Sequence, residues 1–209
     1  MFKKIALAIL AGATLSPMVV LADAPNWTFA EISYVSSETD DSDVSPEGFE
    51  VAGSYALGDW AFADIRYLEE DNSSKFNTDS REFKLDLTRE RLRLGIGGAW
   101  RVIDNTDIYG RLAYENWTLD AKIKSGGFSS SDDSNESGYS FGAGVRSLVW
   151  QALELRAEVY YIDVDEITGG ESGFELGAYY TFVEHVTVGA SYEKLEDYET
   201  YRATLRYQF

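Results

Sequence analysis

The sequence contains no cysteine, which removes disulfides and thiolate metal sites together. It has three prolines in 209 residues, a scarcity that suits long strands whose backbone N–H groups are all needed for a ladder. One histidine, His185, is its whole supply of imidazole. Beyond the N-terminal stretch it lacks any run of apolar residues long enough to span a bilayer as a helix, so only a closed barrel of strands could cross a membrane. Bases are also few: 18 Lys and Arg stand against 36 Asp and Glu, a formal charge of -18. Such a surface disfavours nucleic acid as a partner.

What is present in abundance is aromatic, with 14 Tyr, 11 Phe and 5 Trp. The final segment, Tyr201-Arg202-Ala203-Thr204-Leu205-Arg206-Tyr207-Gln208-Phe209, alternates apolar and polar residues without a fault. A β-strand turns successive side chains to opposite faces, so this one needs two different solvents. At the other end Lys3 and Lys4 precede an apolar run from Ile5 to Leu15, and Val20-Leu21-Ala22 offers small-residue cleavage chemistry before Asp23. That order of charged, apolar and cleavage regions reads as a secretory signal over 1–22, leaving 23–209 as one barrel domain.

Alternation recurs along the mature chain. Ile32 and Tyr34, then Val51 and Tyr55, then Ile65 and Tyr67 mark three apolar faces, with Glu50, Asp64 and Arg66 on the opposite parity. A fourth strand over 82–100 has apolar residues on odd positions at Phe83, Leu85 and Leu87 but on even ones at Leu92, Leu94 and Ile96, a parity change that predicts a β-bulge near Thr88 to Arg91. Six further strands follow to Phe209. Short breaks such as Gly58-Asp59, where glycine can supply a positive φ, alternate with longer polar connections at 36–47, 69–80, 125–137, 163–173 and 194–199. The reading is all-β: a transmembrane up-and-down antiparallel barrel of ten strands, with eight or twelve if a hairpin has been split or merged. Aromatics fall into two belts, Trp27, Trp60, Trp100, Trp150, Phe182 and Phe209 beside the short turns, and Tyr34, Tyr67, Tyr114, Trp117, Tyr139, Tyr161, Tyr192 and Tyr201 toward the long connections. Trp60 sits on the polar parity and fits its belt least well. The competing fold is an exported soluble barrel, lipocalin-like, with its apolar parity inward.

On these features, and on the terminal pattern Tyr201, Ala203, Leu205, Tyr207, Phe209, the chain resembles the small outer-membrane β-barrel proteins of Gram-negative bacteria, the porin-like and OmpA-like barrels. The resemblance implies a place in the outer membrane among lipid and lipopolysaccharide, and it implies that Tyr207 and Phe209 form the signal read by the barrel-insertion machinery. Unlike full-length OmpA proteins, the sequence shows no peptidoglycan-binding domain after Phe209.

The polar parity carries Glu50, Asp64, Arg66, Arg93, Arg111, Glu115, Arg146, Glu154, Arg156, Glu158, Glu175, Arg202 and Arg206. In a narrow barrel these charges should pair into a plug, with a narrow pore for small ions or solutes as the alternative. No cofactor motif is present. Barrel enzymes that use a histidine place it near the outer rim, whereas His185 falls in a short turn on the other side, so no catalytic residue is assigned. The acidic connections, including Glu38, Asp40, Asp41, Asp43, Glu47, Glu69, Glu70, Asp71, Asp163, Asp165, Glu166 and Glu171, lack the spacing of an EF-hand and read as solvated charge. The functional reading is therefore a structural or surface-interaction barrel without enzymatic activity.

Overall fold

A computed structural model describes residues 24–39, 45–78, 81–125, 128–164 and 169–209. The signal read over 1–22 and the connection residues Asp40, Asp41, Asp43, Asp165 and Glu166 lie outside the described residues. The strands are β1 (Phe29–Thr39), β2 (Glu47–Ala56), β3 (Ala61–Thr78), β4 (Arg81–Ile103), β5 (Thr106–Ser125), β6 (Phe128–Trp150), β7 (Leu153–Val164), β8 (Glu171–Val183), β9 (Val186–Leu195) and β10 (Tyr198–Gln208). Each pairs antiparallel with its neighbours in sequence, and β10 pairs with β1 from Phe29↔Gln208 to Thr39↔Tyr198, so the sheet closes. Closure leaves no free ladder at membrane depth, which hydrocarbon demands.

The burial pattern decides which solvent meets which face. On β10 Arg202, Thr204 and Arg206 are buried, Arg206 to 0% exposure, while Leu205 and Tyr207 are 49% and 48% exposed. β1 and β2 repeat the pattern, burying Glu31 and Glu50 and exposing Ile32 and Val51. A water-soluble barrel would bury the leucine and expose the arginine. The lipocalin-like alternative is thus overturned: apolar side chains face out and charges face in, as a lipid surround requires.

The turns at the end of the barrel that holds both termini are tight. β8 and β9 are joined through Glu184 and His185, with His185 at φ 69°, and Gly58 takes φ 79° between β2 and β3. The chain ends are held there as well: Phe209 N donates to Thr28 O at 3.0 Å, and Asn26 Nδ2 donates to Phe209 O at 3.1 Å.

Three sequence expectations need correction. The connections at 69–80 and 125–137 are largely strand: β3 and β4 pair as far as Thr78↔Arg81, and β5 and β6 as far as Ser125↔Phe128. β9 and β10 likewise meet across Glu196 and Asp197 alone. Serine and acid content reads as loop, but ladder bonds on both sides hold these residues extended.

The bulge near Thr88 to Arg91 is also absent. β4 stays in continuous register with β5 from Phe83 to Arg101, the sole shift lying between Arg101 and Ile103. The parity changes because the surroundings change. β3 to β6 rise past the other strands as a wall, where Lys84, Asp86 and Lys122 take the outward face, while Leu85 and Leu87 stand opposite Ile123 and Ala121 on the inward face.

Finally, two members of the aromatic belts belong inside. Trp27 stacks on Phe62 at 4.3 Å in the barrel mouth, and Trp117, 6% exposed, lies under the Arg91 guanidinium at 4.9 Å. Trp117 has an odd number on β5, the parity of Arg111 and Glu115, which turns inward. Trp60 lies in the β2–β3 connection at 65% exposure.

Candidate functional site: a charge-filled lumen

The interior is built from strand positions of one parity, and it is organised by arginine forks. Nearest the termini, Arg206 Nε donates to Glu31 Oε1 at 2.5 Å and its Nη1 to Glu154 Oε1 at 3.2 Å. Arg146 grips the same Glu154 with Nε at 3.0 Å and Nη2 at 2.8 Å, the bidentate geometry that makes this pair type strong. The Arg146 guanidinium also covers the Trp27 ring at 4.4 Å, and Trp27 Nε1 donates to Asp107 at 2.9 Å.

One level further in, Glu158 collects Arg111, Arg156 at 3.0 Å and the Tyr109 hydroxyl at 2.7 Å. Above it Arg66 bridges Glu175 at 3.1 Å and Glu50 at 3.4 Å, and Arg202 links Glu50 at 3.0 Å with Glu193 at 2.5 Å. Toward the wall, Arg91 meets Glu115 at 3.1 Å, to which Ser140 also donates at 2.7 Å. Glu70 receives Arg89 and the Ser37 hydroxyl, the latter at 2.6 Å.

Room for this chemistry comes partly from glycine. A Cβ on Gly95 would lie 2.1 Å from Asp64 Oδ2, and one on Gly189 would lie 2.2 Å from Cδ1 of Tyr179, whose ring packs under Arg206 at 4.0 Å. Small residues on the lumen parity leave volume that long charged and aromatic side chains from facing strands fill.

The structure turns Glu50, Asp64, Arg66, Arg93, Arg111, Glu115, Arg146, Glu154, Arg156, Glu158, Glu175, Arg202 and Arg206 inward and brings them into this network. It adds Glu31, Glu70, Arg89, Arg91, Asp107 and Glu193. Glu70 is a correction: grouped with solvated connection acids by sequence, it is buried to 1% exposure. Arg91 shares the parity of Arg93, a signal obscured by the supposed bulge. Tyr207 and Phe209 face outward at the barrel's end, ring to ring at 5.0 Å. His185 is solvent-exposed in its turn, 3.4 Å from Glu184.

Within the lumen, a cavity bounded by Trp27, Phe62 and Tyr109 on one side and Arg66 and Arg93 on the other measures about 30 Å³, roughly the space of one or two waters. A vestibule of about 170 Å³ opens at the termini, lined by Asn26, Glu154, His185 and Thr187 among others.

The model of the outer membrane protein β-barrel domain matches residues 5–172. The chain belongs to this outer-membrane β-barrel family, and its place is the bacterial outer membrane. No curated protein matches it in sequence. Among solved structures this family member is similar to the NanC porin, at 7% identity and TM-score 0.53 over 86% of this chain and 100% of that one. It is similar to the translocator domain of autotransporter NalP from Neisseria meningitidis, at 14% identity and TM-score 0.53 over 87% and 88%. It is also similar to Ail, the attachment invasion locus protein of Yersinia pestis, at 14% identity and TM-score 0.43 over 87% and 97%. Identities of this size speak to the fold alone.

Proposed function

We propose that the protein is a closed, non-conducting outer-membrane barrel that acts through its outer surface as a structural or surface-interaction protein, without enzymatic activity. The observation that carries this reading is the lumen itself. Arginines and carboxylates from facing strands meet across the axis, as in Arg66–Glu175 and Arg206–Glu154, so a solute crossing the barrel would have to part buried ion pairs. Parting one buried pair costs on the order of 3–5 kcal/mol when its partner is left without compensation, and several stand in series.

The wall of β3 to β6 supports the same reading, because it sets polar side chains of four strands above the membrane where an external partner or lipopolysaccharide can meet them. Tyr207 and Phe209 are proposed as the determinant read by the barrel-insertion machinery, supported by their outward-facing, exposed side chains at the end of β10. Purified protein in planar bilayers should give no steady conductance steps. A reproducible open level would favour the narrow pore and overturn the closed reading.

A further inference from the structure

The small lumen cavity carries an uneven polar lining. Among the described residues, Ser54 Oγ, both Asp64 carboxylate oxygens, and the Nε atoms of Arg66, Arg93 and Arg111 have no hydrogen-bond partner, Arg66 Nε meeting Glu50 only as an ion pair at 3.4 Å, and all of these residues but Glu50 line that one cavity. Buried polar groups ordinarily find partners, so their concentration around a single space marks it as a binding site for something small and polar. Arg146 and Arg156 also line it, against the carboxylates of Asp64 and Glu31. The other carboxylates that bind these arginines, Glu50, Glu175, Glu154 and Glu158, are absent from the lining.

Arg93 has no short ion pair of its own among the described residues. It is 5% exposed, stands between Arg66 in the β3–β4 register and Glu115 in the β4–β5 register, and its ion pair to Asp64 is long at 3.5 Å. The same carboxylate is shared with Arg111 at 3.8 Å. Five guanidinium groups, of Arg66, Arg93, Arg111, Arg146 and Arg156, line this one space against the two carboxylates of Glu31 and Asp64, a local excess that favours the approach of a further negative charge. About 30 Å³ is too small for phosphate or an organic acid with its hydration, yet it holds one halide-sized ion beside a water.

We propose that the lumen contains a site for a single monovalent anion of halide size, held by Arg93 and Arg111 with the Ser54 hydroxyl as a neutral donor. The ion offsets the local excess of arginines in the cavity lining. The site is independent of whether the barrel conducts, since it concerns one position rather than a path.

Bromide is the probe. The full chain, refolded in detergent with sodium bromide so that the ion can enter before closure, should show on crystallography at the bromine edge an anomalous peak beside Arg93 Nε and Ser54 Oγ. Melting at constant ionic strength should rise saturably as bromide replaces gluconate, and Arg93→Gln should lose that rise. The wild-type anomalous map decides the matter even if Arg93→Gln folds poorly. Bromide peaks confined to the exposed surface, an adventitious ion only, or density of water alone in the cavity would overturn the assignment.

Discussion

At the scale of the residue, this protein depends on carboxylates that serve more than one cation. Glu154 accepts from Arg146 through both oxygens and from Arg206 through one, so it neutralises two buried guanidinium groups from β6 and β10. Removing it leaves both undercompensated in a low-dielectric interior, where the cost comes from uncovered charge rather than from the lost bond. Glu154→Ala should therefore lower the stability of the folded barrel by about 3–5 kcal/mol, measured by urea unfolding in lipid vesicles. A loss no larger than that of an exposed control such as Glu184→Ala would show that the interior is wetter than its packing implies. Inward residues were legible in the sequence wherever a strand alternated cleanly, as in Glu154, Arg156 and Glu158 along β7. Glu31 was equally legible by parity, whereas Glu70 and Arg91 were hidden by their surroundings: one sits in a run of acids that reads as loop, the other at a change of parity.

At the scale of the element, the rim opposite the termini carries a carboxyl whose titration reports on a turn. Glu171 opens β8 above the membrane span, near the β9–β10 turn formed by Glu196 and Asp197. Partial burial, then the charge and hydrogen bond of Glu196 and the charge of Asp197, push its pKa from 4.5 up to about 7. Between those values the native rim holds a proton that the unfolded chain has already released. The unfolded state then binds fewer protons, so stability falls as pH rises through this window and the penalty is complete above the native value. Wild type should lose stability relative to Glu171→Gln as pH goes from about 5 to about 8, followed by melting in detergent; parallel curves would remove the carboxyl pair as the cause. Glu196 takes φ 48° in that turn, so two side chains rather than glycine accomplish the reversal. The sequence anticipated a longer connection here because its acids resemble solvated loop, and composition alone does not reveal a tight turn.

At the scale of the whole molecule, closure depends on β10 meeting β1 in one register. Arg206 faces Glu31 in the β1–β10 pairing, and Leu205 faces Ile32. Deleting Thr204 would slide the rest of β10 by one position, aiming Arg206 at lipid and Leu205 at the charged lumen. An arginine on the lipid face costs about 2–4 kcal/mol at the midplane and less this close to the barrel's end, so the larger loss is that Glu31 and Glu154 would both lose a buried partner. The deletion variant should fail to form the compact species on refolding into vesicles, judged by the mobility of unheated samples on gels. Formation of wild-type amounts would mean that closure tolerates slippage. Strand number, faces and closure were readable because lipid and lumen impose opposite rules on alternate residues; the height of β3 to β6 was not, since above the bilayer those rules lapse.

The outward positions where lipid gives way are marked strand by strand. Tyr67 is followed two residues later by Glu69, Tyr114 by Asn116, Tyr161 by Asp163, and Tyr201 is preceded by Glu199, to which its hydroxyl donates at 3.0 Å. These residues draw a waterline around the hull. Strand length above it has no bearing on how deep the protein sits, so the 23-residue β4 and the 10-residue β9 float at the same draught. The freeboard is therefore lopsided. Anything arriving from outside meets a tall bulwark on the side of β3 to β6 and a low gunwale at Glu171, Glu196 and Asp197, which gives the barrel a heading within the plane of the membrane.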